Sequence, residues 1–160
     1  MHSWAQWLSE TSWSLYLQKQ AWIIVVSQSI HIVCVAVVFG SSMMISLRLL
    51  GLGSSGRKVS ELVATLVPWI YRALIVLLLT GIEQTIAEPF RQFMAAAFRW
   101  KMLLVVITVV LTMYFARAVQ ARAAAWDDAQ ARPVGAKIFA VTWLGLWLGI
   151  VWCGRFIGYA

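Results

Sequence analysis

The chain has 160 residues, of which 62% are hydrophobic and 12% are charged, whereas soluble proteins carry about 45–50% apolar and about 25% charged residues. This composition excludes a disordered chain, which lacks the apolar content to collapse, and it argues against a soluble enzyme. The net charge is +7, but the Lys and Arg residues lie singly or in pairs beside apolar runs, where lipid headgroups would meet them. We therefore expect a lipid bilayer around the chain and no nucleic-acid partner, which would require one basic patch.

Four apolar segments are long enough to cross a bilayer, since about 20 helical residues span its hydrocarbon core. In chain order, we predict membrane helices over residues 21–48, 61–87, 98–119 and 136–157. Tryptophans in a Ser- and Gln-rich segment before the first span predict a short helix in the membrane interface over residues 3–18. The predicted fold is all-α: a single membrane domain over residues 1–160, built as an integral membrane four-helix bundle with a short N-terminal interfacial helix.

The connections between the spans predict further features. The alanine-rich residues after the third span are expected to continue that helix beyond the membrane until Pro133 and Gly135 end it. With four spans, both termini lie on one side of the membrane. That side carries five cationic residues: Lys19, Arg91, Arg99, Lys101 and Arg155. The other side carries seven: Arg48, Arg57, Lys58, Arg117, Arg122, Arg132 and Lys137. The positive-inside rule therefore favours periplasmic termini.

Polar residues of the spans fall on particular helix faces. Taking His31 as zero, an ideal helix places Gln28 at about +60° and Ser42 at about +20°, with Ser29 opposite at about 160°. On the second span, Arg72 and Glu83 share a face but stand about 16 Å apart along the axis. Each therefore needs a partner from elsewhere, because unpaired polar groups are costly in lipid.

From these angles we predict a polar seam buried between the four helices. Its predicted members are Gln28, His31, Arg72, Glu83, Lys101 and Thr108. The alternative is that Arg72 and Glu83 extend to the headgroups and that His31 only bonds a neighbouring backbone. On the fourth span, two small-xxx-small pairs are expected to bring helices close together, within the chain or between chains. These pairs are Gly145 with Gly149 and Gly154 with Gly158.

Motifs for catalysis in water are missing from the sequence, which has no Walker loop, dinucleotide fingerprint, His-Glu-x-x-His or nucleophile elbow. We therefore do not expect an enzyme. The leading hypothesis is a transport or accessory subunit whose candidate partners are a second copy or another membrane protein. The alternative is a redox subunit that binds haem or copper through His31, because Cys34 lies one turn away and could be a second soft ligand. No cofactor is predicted outright.

Several segments together carry a family resemblance. They are SQSIHIVCVAVVFGSSMMISLRLLG (27–51), PWIYRALIVLLLTGIEQTIAEPF (68–90), FRWKMLLVV (98–106) and WLGLWLGIVWCGRFIGY (143–159). These resemble a family of small bacterial four-helix integral membrane proteins, a domain of unknown function, with a looser likeness to copper-resistance and cytochrome-b-like membrane bundles. The resemblance implies the bacterial inner (cytoplasmic) membrane and no established reaction. The sequence departs from the cytochrome pattern, because only His31 lies within a predicted span, although Met94, Met102 or Met113 could supply a second axial ligand.

Overall fold

The computed structural model describes residues 2–52, 56–128 and 135–157 of the chain. Its helices, in chain order, are α1 (His2–Ser9), α2 (Ser12–Lys19), α3 (Ala21–Leu50), α4 (Val59–Ala87), α5 (Pro89–Met94), α6 (Ala96–Ala121), α7 (Ala123–Asp127) and α8 (Gly135–Ile157). Helices α3, α4, α6 and α8 are each long and apolar enough to cross a membrane. The described residues contain no strand, so the predicted all-α membrane bundle is confirmed.

The four long helices alternate in direction. Helix α3 packs closely against both α4 and α8, and α8 packs closely against α6, whereas α4 and α6 approach each other less. A hydrogen bond between His31 and Thr80 shows which parts of α3 and α4 lie side by side. The bundle is therefore a ring of four helices with its loosest side between α4 and α6.

Small side chains explain the close approach of α3. Ser42 and Ser46 are fully buried, and their hydroxyl oxygens have no hydrogen-bond partner. Because these hydroxyls make no hydrogen bond, we attribute the serines at these positions to their small size, which lets membrane helices approach each other. Ser29, on the opposite face of α3, is exposed and donates its hydroxyl to the carbonyl of Val25.

The packed core occupies the half of the bundle where α3 ends and α4 begins. Its largest member is Trp143, which is fully buried against the rings of Phe115 and Phe139. Its Nε1 donates to Thr112 Oγ1 at 3.0 Å, and that hydroxyl donates to the Thr108 carbonyl at 2.7 Å. This chain of hydrogen bonds satisfies the Nε1 hydrogen of Trp143 and the hydroxyl hydrogen of Thr112.

The N-terminal segment forms two short helices where we predicted one. Thr11 lies in extended conformation between α1 and α2, and its Oγ1 accepts a hydrogen bond from the Ser14 amide, which caps α2. The Ser14 hydroxyl donates to the Ile86 carbonyl at 2.7 Å, so α2 lies against the end of α4. Most of the exposed tryptophans lie at this end of the bundle, as in the aromatic belt of a membrane interface; they are Trp4, Trp7, Trp13, Trp22, Trp100 and Trp152.

The prediction that the third span continues unbroken towards Pro133 is wrong. Helix α6 ends at Ala121, and Arg122 leaves the helical conformation with φ −141° and ψ 49° before α7 begins. Pro133 lies outside the described residues. The break turns Asp127 towards the start of α4, where its carboxylate accepts hydrogen bonds from the Ser60 amide at 2.9 Å and the Ser60 hydroxyl at 2.7 Å. Asp127 thus caps a helix to which it does not belong.

We expect Asp127→Ala to destabilise the protein by about 1 kcal/mol, as the loss of a helix cap does. Partial burial raises the pKa of the Asp127 carboxyl, but the Ser60 hydrogen bonds and the Lys58 charge lower it below its ordinary value of 3.8. Because the folded pKa is the lower one, the carboxylate stabilises the fold above pH 3.8, and this contribution is lost as the pH falls through the folded pKa. Unfolding of wild type and variant in detergent at several pH values would measure the difference.

Ser60→Ala provides the control for the Asp127 prediction. The Ser60 hydroxyl acts through Asp127, so removing it from the Asp127→Ala protein should cause little further loss of stability. Fully additive losses from the two substitutions would contradict the proposed cap.

Candidate functional site

A cavity of about 370 Å³ lies at the loose side of the bundle, between α4 and α6. Side chains of α3 and α8 also line it, and residues of α5 close one end. Its walls are mainly apolar, with Phe39, Leu77, Val105 and Ile150 among them. The volume falls within the range of about 300–1,000 Å³ that is usual for small-molecule sites.

His31 lines the cavity with a ring whose orientation is held by Thr80. The Nδ1 atom lies 2.7 Å from Thr80 Oγ1, and the same hydroxyl lies 2.9 Å from the Val76 carbonyl one turn earlier on α4. Because a hydroxyl has one proton and the carbonyl can only accept, the imidazole Nδ1–H donates to Thr80. The Nε2 atom of His31 is then the ring nitrogen with a lone pair to offer a ligand.

Lys101 enters the same cavity from α6. Its Nζ lies 3.7 Å from the position that a Cβ on Gly154 would occupy, so the absence of a side chain at Gly154 makes room for it. In the part of the chain that the structure describes, Lys101 forms neither a hydrogen bond nor an ion pair. At a rise of about 1.5 Å per residue, Lys101 stands about 11 Å from the middle of its helix and His31 about 7 Å from the middle of α3. With the middle of each helix at the bilayer centre, both residues would lie within a hydrocarbon core of about 30 Å.

Two further donors line the cavity without a partner. Trp147 Nε1 and Gln84 Nε2 are inaccessible to solvent and make no hydrogen bond. Buried polar groups of native proteins are nearly always hydrogen-bonded, and lipid offers them nothing. The cavity therefore combines apolar walls with two lining residues whose buried donor atoms have no acceptor in the described protein.

Comparison with known proteins places the chain in a family. The model of a family of unknown function (DUF6644) matches residues 4–160, which is nearly the whole chain. The chain belongs to this family. Neither the curated proteins nor the solved structures contain a match to it. The four candidate spans indicate a multi-pass membrane protein, and its family has no known function.

Two members of the predicted seam, His31 and Lys101, meet in the cavity of the DUF6644 chain. Arg72 does not reach it: its side chain is exposed, and its guanidinium lies over the Trp69 ring at 5.1 Å from the ring centroid. On an ideal helix, Gly81, which does line the cavity, stands about 180° from Arg72. The second span is therefore rotated so that Arg72 points outward from the bundle.

The other three predicted seam residues lie elsewhere in the bundle. Gln28 is half-buried outside the cavity lining. Thr108 is fully buried in the bundle, and its hydroxyl donates to the Leu104 carbonyl. Glu83 is half-buried, and neither carboxylate oxygen has a partner. None of these three lines the cavity that His31 and Lys101 share.

The predicted glycine pairs occupy different environments. Gly149 lies against α6, and a Cβ there would be in van der Waals contact with Leu104 Cδ1 at 3.4 Å. Gly154 faces Lys101, whereas Gly145 is exposed and a Cβ there would have no atom within 4 Å. Gly158 lies outside the described residues.

The structure adds no third His, Cys, Asp or Glu ligand to the predicted metal site at His31 and Cys34, among the residues that it describes. Cys34 is a free, half-buried cysteine that packs against the hydrophobic core. Within the described ranges, no group of three or more His, Cys, Asp and Glu residues is placed to hold a metal ion. A ligand to His31 from a methionine remains available, because Met102 also lines the cavity.

Sequence reasoning did not single out Thr80, Gln84 or Trp147 as site residues. Thr80 became visible only through its bond to His31 across the α3–α4 interface, 49 positions away in the chain. Trp147 occurs in an apolar span where every position is compatible with lipid or packing, and Gln84 occurs in the last turn of α4 among other polar residues. Their significance lies in unpartnered nitrogen atoms, which no sequence pattern reports.

Proposed function

We propose that this protein is a small transport or accessory subunit of the bacterial inner membrane that binds a bilayer-soluble molecule in the cavity between α4 and α6. One observation carries the proposal: an apolar cavity of about 370 Å³ lies within the membrane-crossing bundle and is lined by residues whose polar atoms lack partners. Ligand sites combine apolar walls with a few oriented polar groups in this way.

The position of the cavity supports entry of its ligand from the lipid. It lies between the two helices of the ring that approach each other least, so a molecule dissolved in the bilayer can pass between them. The family resemblance supports the bacterial inner membrane, and the distribution of Lys and Arg supports periplasmic termini. Exposed Gly145 leaves part of α8 open to a second copy or another membrane protein.

Blocking the cavity tests the proposal. Gly81 lines it, and a Cβ at this position would lie 4.0 Å from His31 Cε1, so Gly81→Leu should fill the space that a ligand needs. Native mass spectrometry of protein purified in mild detergent should detect a bound small molecule on the wild type and at least about tenfold lower occupancy on Gly81→Leu.

The matched control is Gly145→Leu, which adds the same side chain to a membrane helix at an exposed position. Its bound molecule should remain at the wild-type level. Equal occupancy in Gly81→Leu and Gly145→Leu would contradict binding in this cavity.

The second candidate function is redox, with haem or copper bound at His31. The observation that favours it is the bond from Nδ1 to Thr80, since a metal-binding histidine usually has its second nitrogen oriented in this way. Met102 lies in the same cavity, and His with Met is a known pair of haem ligands. A Soret band in the purified protein that disappears in His31→Ala would establish haem, and metal analysis of the same samples would test for copper.

A further inference from the structure

We infer that the occupant of the cavity is a single-chain amphiphile whose head is a carboxylate, such as a long-chain fatty acid. The inference rests on the proposed function and names the ligand class of that same site. Three features of the cavity carry it: one uncompensated cation, two unpartnered neutral donors, and a volume that suits one acyl chain.

The first feature is charge. Among the described residues that line the cavity, Lys101 alone belongs to the Lys, Arg, Asp and Glu group. The nearby acidic residue Glu88 forms an ion pair with Arg91, and Glu83 lies outside the lining. An ammonium group below the membrane surface is stable when an anion or another polar group accompanies it. A ligand with one negative charge would supply the counter-ion that Lys101 lacks in the cavity lining.

The second feature is the direction of the hydrogen bonds. Trp147 Nε1 and Gln84 Nε2 can only donate, and both lack an acceptor. An ionised carboxylate accepts only, with about four lone-pair sites on two oxygens, so one such group has enough acceptor sites for Lys101 and both neutral donors. An alcohol has a single oxygen, and its own hydroxyl hydrogen also needs an acceptor. The donor set therefore favours a carboxylate over an alcohol, and the charge of Lys101 favours it over a neutral carbonyl.

The third feature is size. A methylene group occupies about the volume of a water molecule in the liquid, about 30 Å³, so the cavity of about 370 Å³ holds about a dozen groups of that size. That is most of one acyl chain and too little for the two chains of a phospholipid. The apolar residues around it, such as Leu77 and Val105, suit such a chain.

The experiment uses the purified full chain in nanodiscs of neutral lipid with dansyl-undecanoate, a fluorescent fatty acid, as the probe. Oleate should displace the probe at least about tenfold more effectively than oleyl alcohol or methyl oleate, because the neutral analogues lack the charge that meets Lys101. This comparison uses the wild-type protein alone, so it does not depend on the folding of any variant. Phosphatidylglycerol in the nanodisc tests the two-chain anion and should not compete.

Substitutions then test Lys101. Lys101→Gln should weaken oleate binding by about tenfold or more, and Lys101→Arg should restore most of it. Arg72→Gln removes a cation that lies outside the cavity on the exposed face of α4, so its affinity should equal that of the wild type. Circular dichroism and size-exclusion profiles report whether each variant is folded.

The outcomes separate the two proposals. If oleyl alcohol or a short-chain quinone displaced the probe as well as oleate, and Lys101→Gln bound normally, the carboxylate inference would fail while binding in the cavity would stand. Strong competition by phosphatidylglycerol would indicate that the ligand is a phospholipid. That result would also overturn the carboxylate inference while binding in the cavity would stand. If no probe bound the wild type, the carboxylate inference would fail, and native mass spectrometry would decide separately whether the cavity binds another molecule. If Gly81→Leu bound the probe normally, both proposals would fail.

Discussion

Trp143→Ala is expected to destabilise the bundle by about 2–4 kcal/mol. Trp143 is fully buried, packs against Phe115 and Phe139, and donates its Nε1 hydrogen to Thr112. Tryptophan-to-alanine changes in soluble cores cost about 3–5 kcal/mol. In a membrane, the helices stay in lipid when the bundle separates, so much of the transfer term cancels and the loss of packing and the new cavity remain.

Unfolding of the purified protein by titration with a denaturing detergent would measure this loss. Trp143→Phe keeps most of the ring packing and should lose about 1 kcal/mol, which corresponds to the missing hydrogen bond to Thr112. Trp152→Ala is the control, because Trp152 is 68% exposed on the same helix. A loss at Trp152 as large as that at Trp143 would show that the core has been placed in the wrong half of the bundle.

Ser42→Leu is expected to have the second large effect, a destabilisation of about 1–3 kcal/mol with a loosened bundle. Ser42 is fully buried on α3, the helix that packs closely against both α4 and α8. Three additional carbon atoms at such a position force side chains off their preferred rotamers or push the helices apart. Thermal unfolding in detergent and the rate of protease cleavage would report the change.

Two other substitutions separate size from polarity at this interface. Ser42→Ala should be nearly neutral, because the Ser42 hydroxyl has no hydrogen-bond partner to lose. Ser29→Leu adds the same bulk as Ser42→Leu on the exposed face of α3 and should change stability by less than about 0.5 kcal/mol. If Ser42→Ala proved as harmful as Ser42→Leu, the hydroxyl rather than its small size would be what this position requires.

The number and type of the long helices could be read from composition, because an apolar run of membrane length has few alternatives to a spanning helix. The structure has α3 at Ala21–Leu50 and α4 at Val59–Ala87, where the sequence predicted 21–48 and 61–87. The shorter elements were harder to predict. The break at Arg122 depends on the contact of Asp127 with Ser60 on another helix, which no local pattern reports.

The helix angles calculated from sequence were useful within one helix and insufficient between helices. On α3 they placed Ser29 opposite His31 and Ser42 beside it, and the structure has Ser29 exposed and Ser42 buried. On α4 the same arithmetic took Arg72 as the reference for the inner face, although Arg72 is exposed. A helical wheel gives relative angles, whereas the rotation of a helix about its axis is decided by the helices that pack against it.

The sequence by itself determined that the chain is a helical membrane protein with four spans, because the hydrophobicity and length of each segment leave its backbone no other way to satisfy its hydrogen bonds in lipid. Only the tertiary structure decided which side chains share a space. The bond between His31 and Thr80, the approach of Lys101 to Gly154, and the unpartnered nitrogen of Trp147 all depend on the register and rotation of helices that are distant in sequence. Those quantities arise from packing, so the cavity and its donors exist only once the bundle has formed.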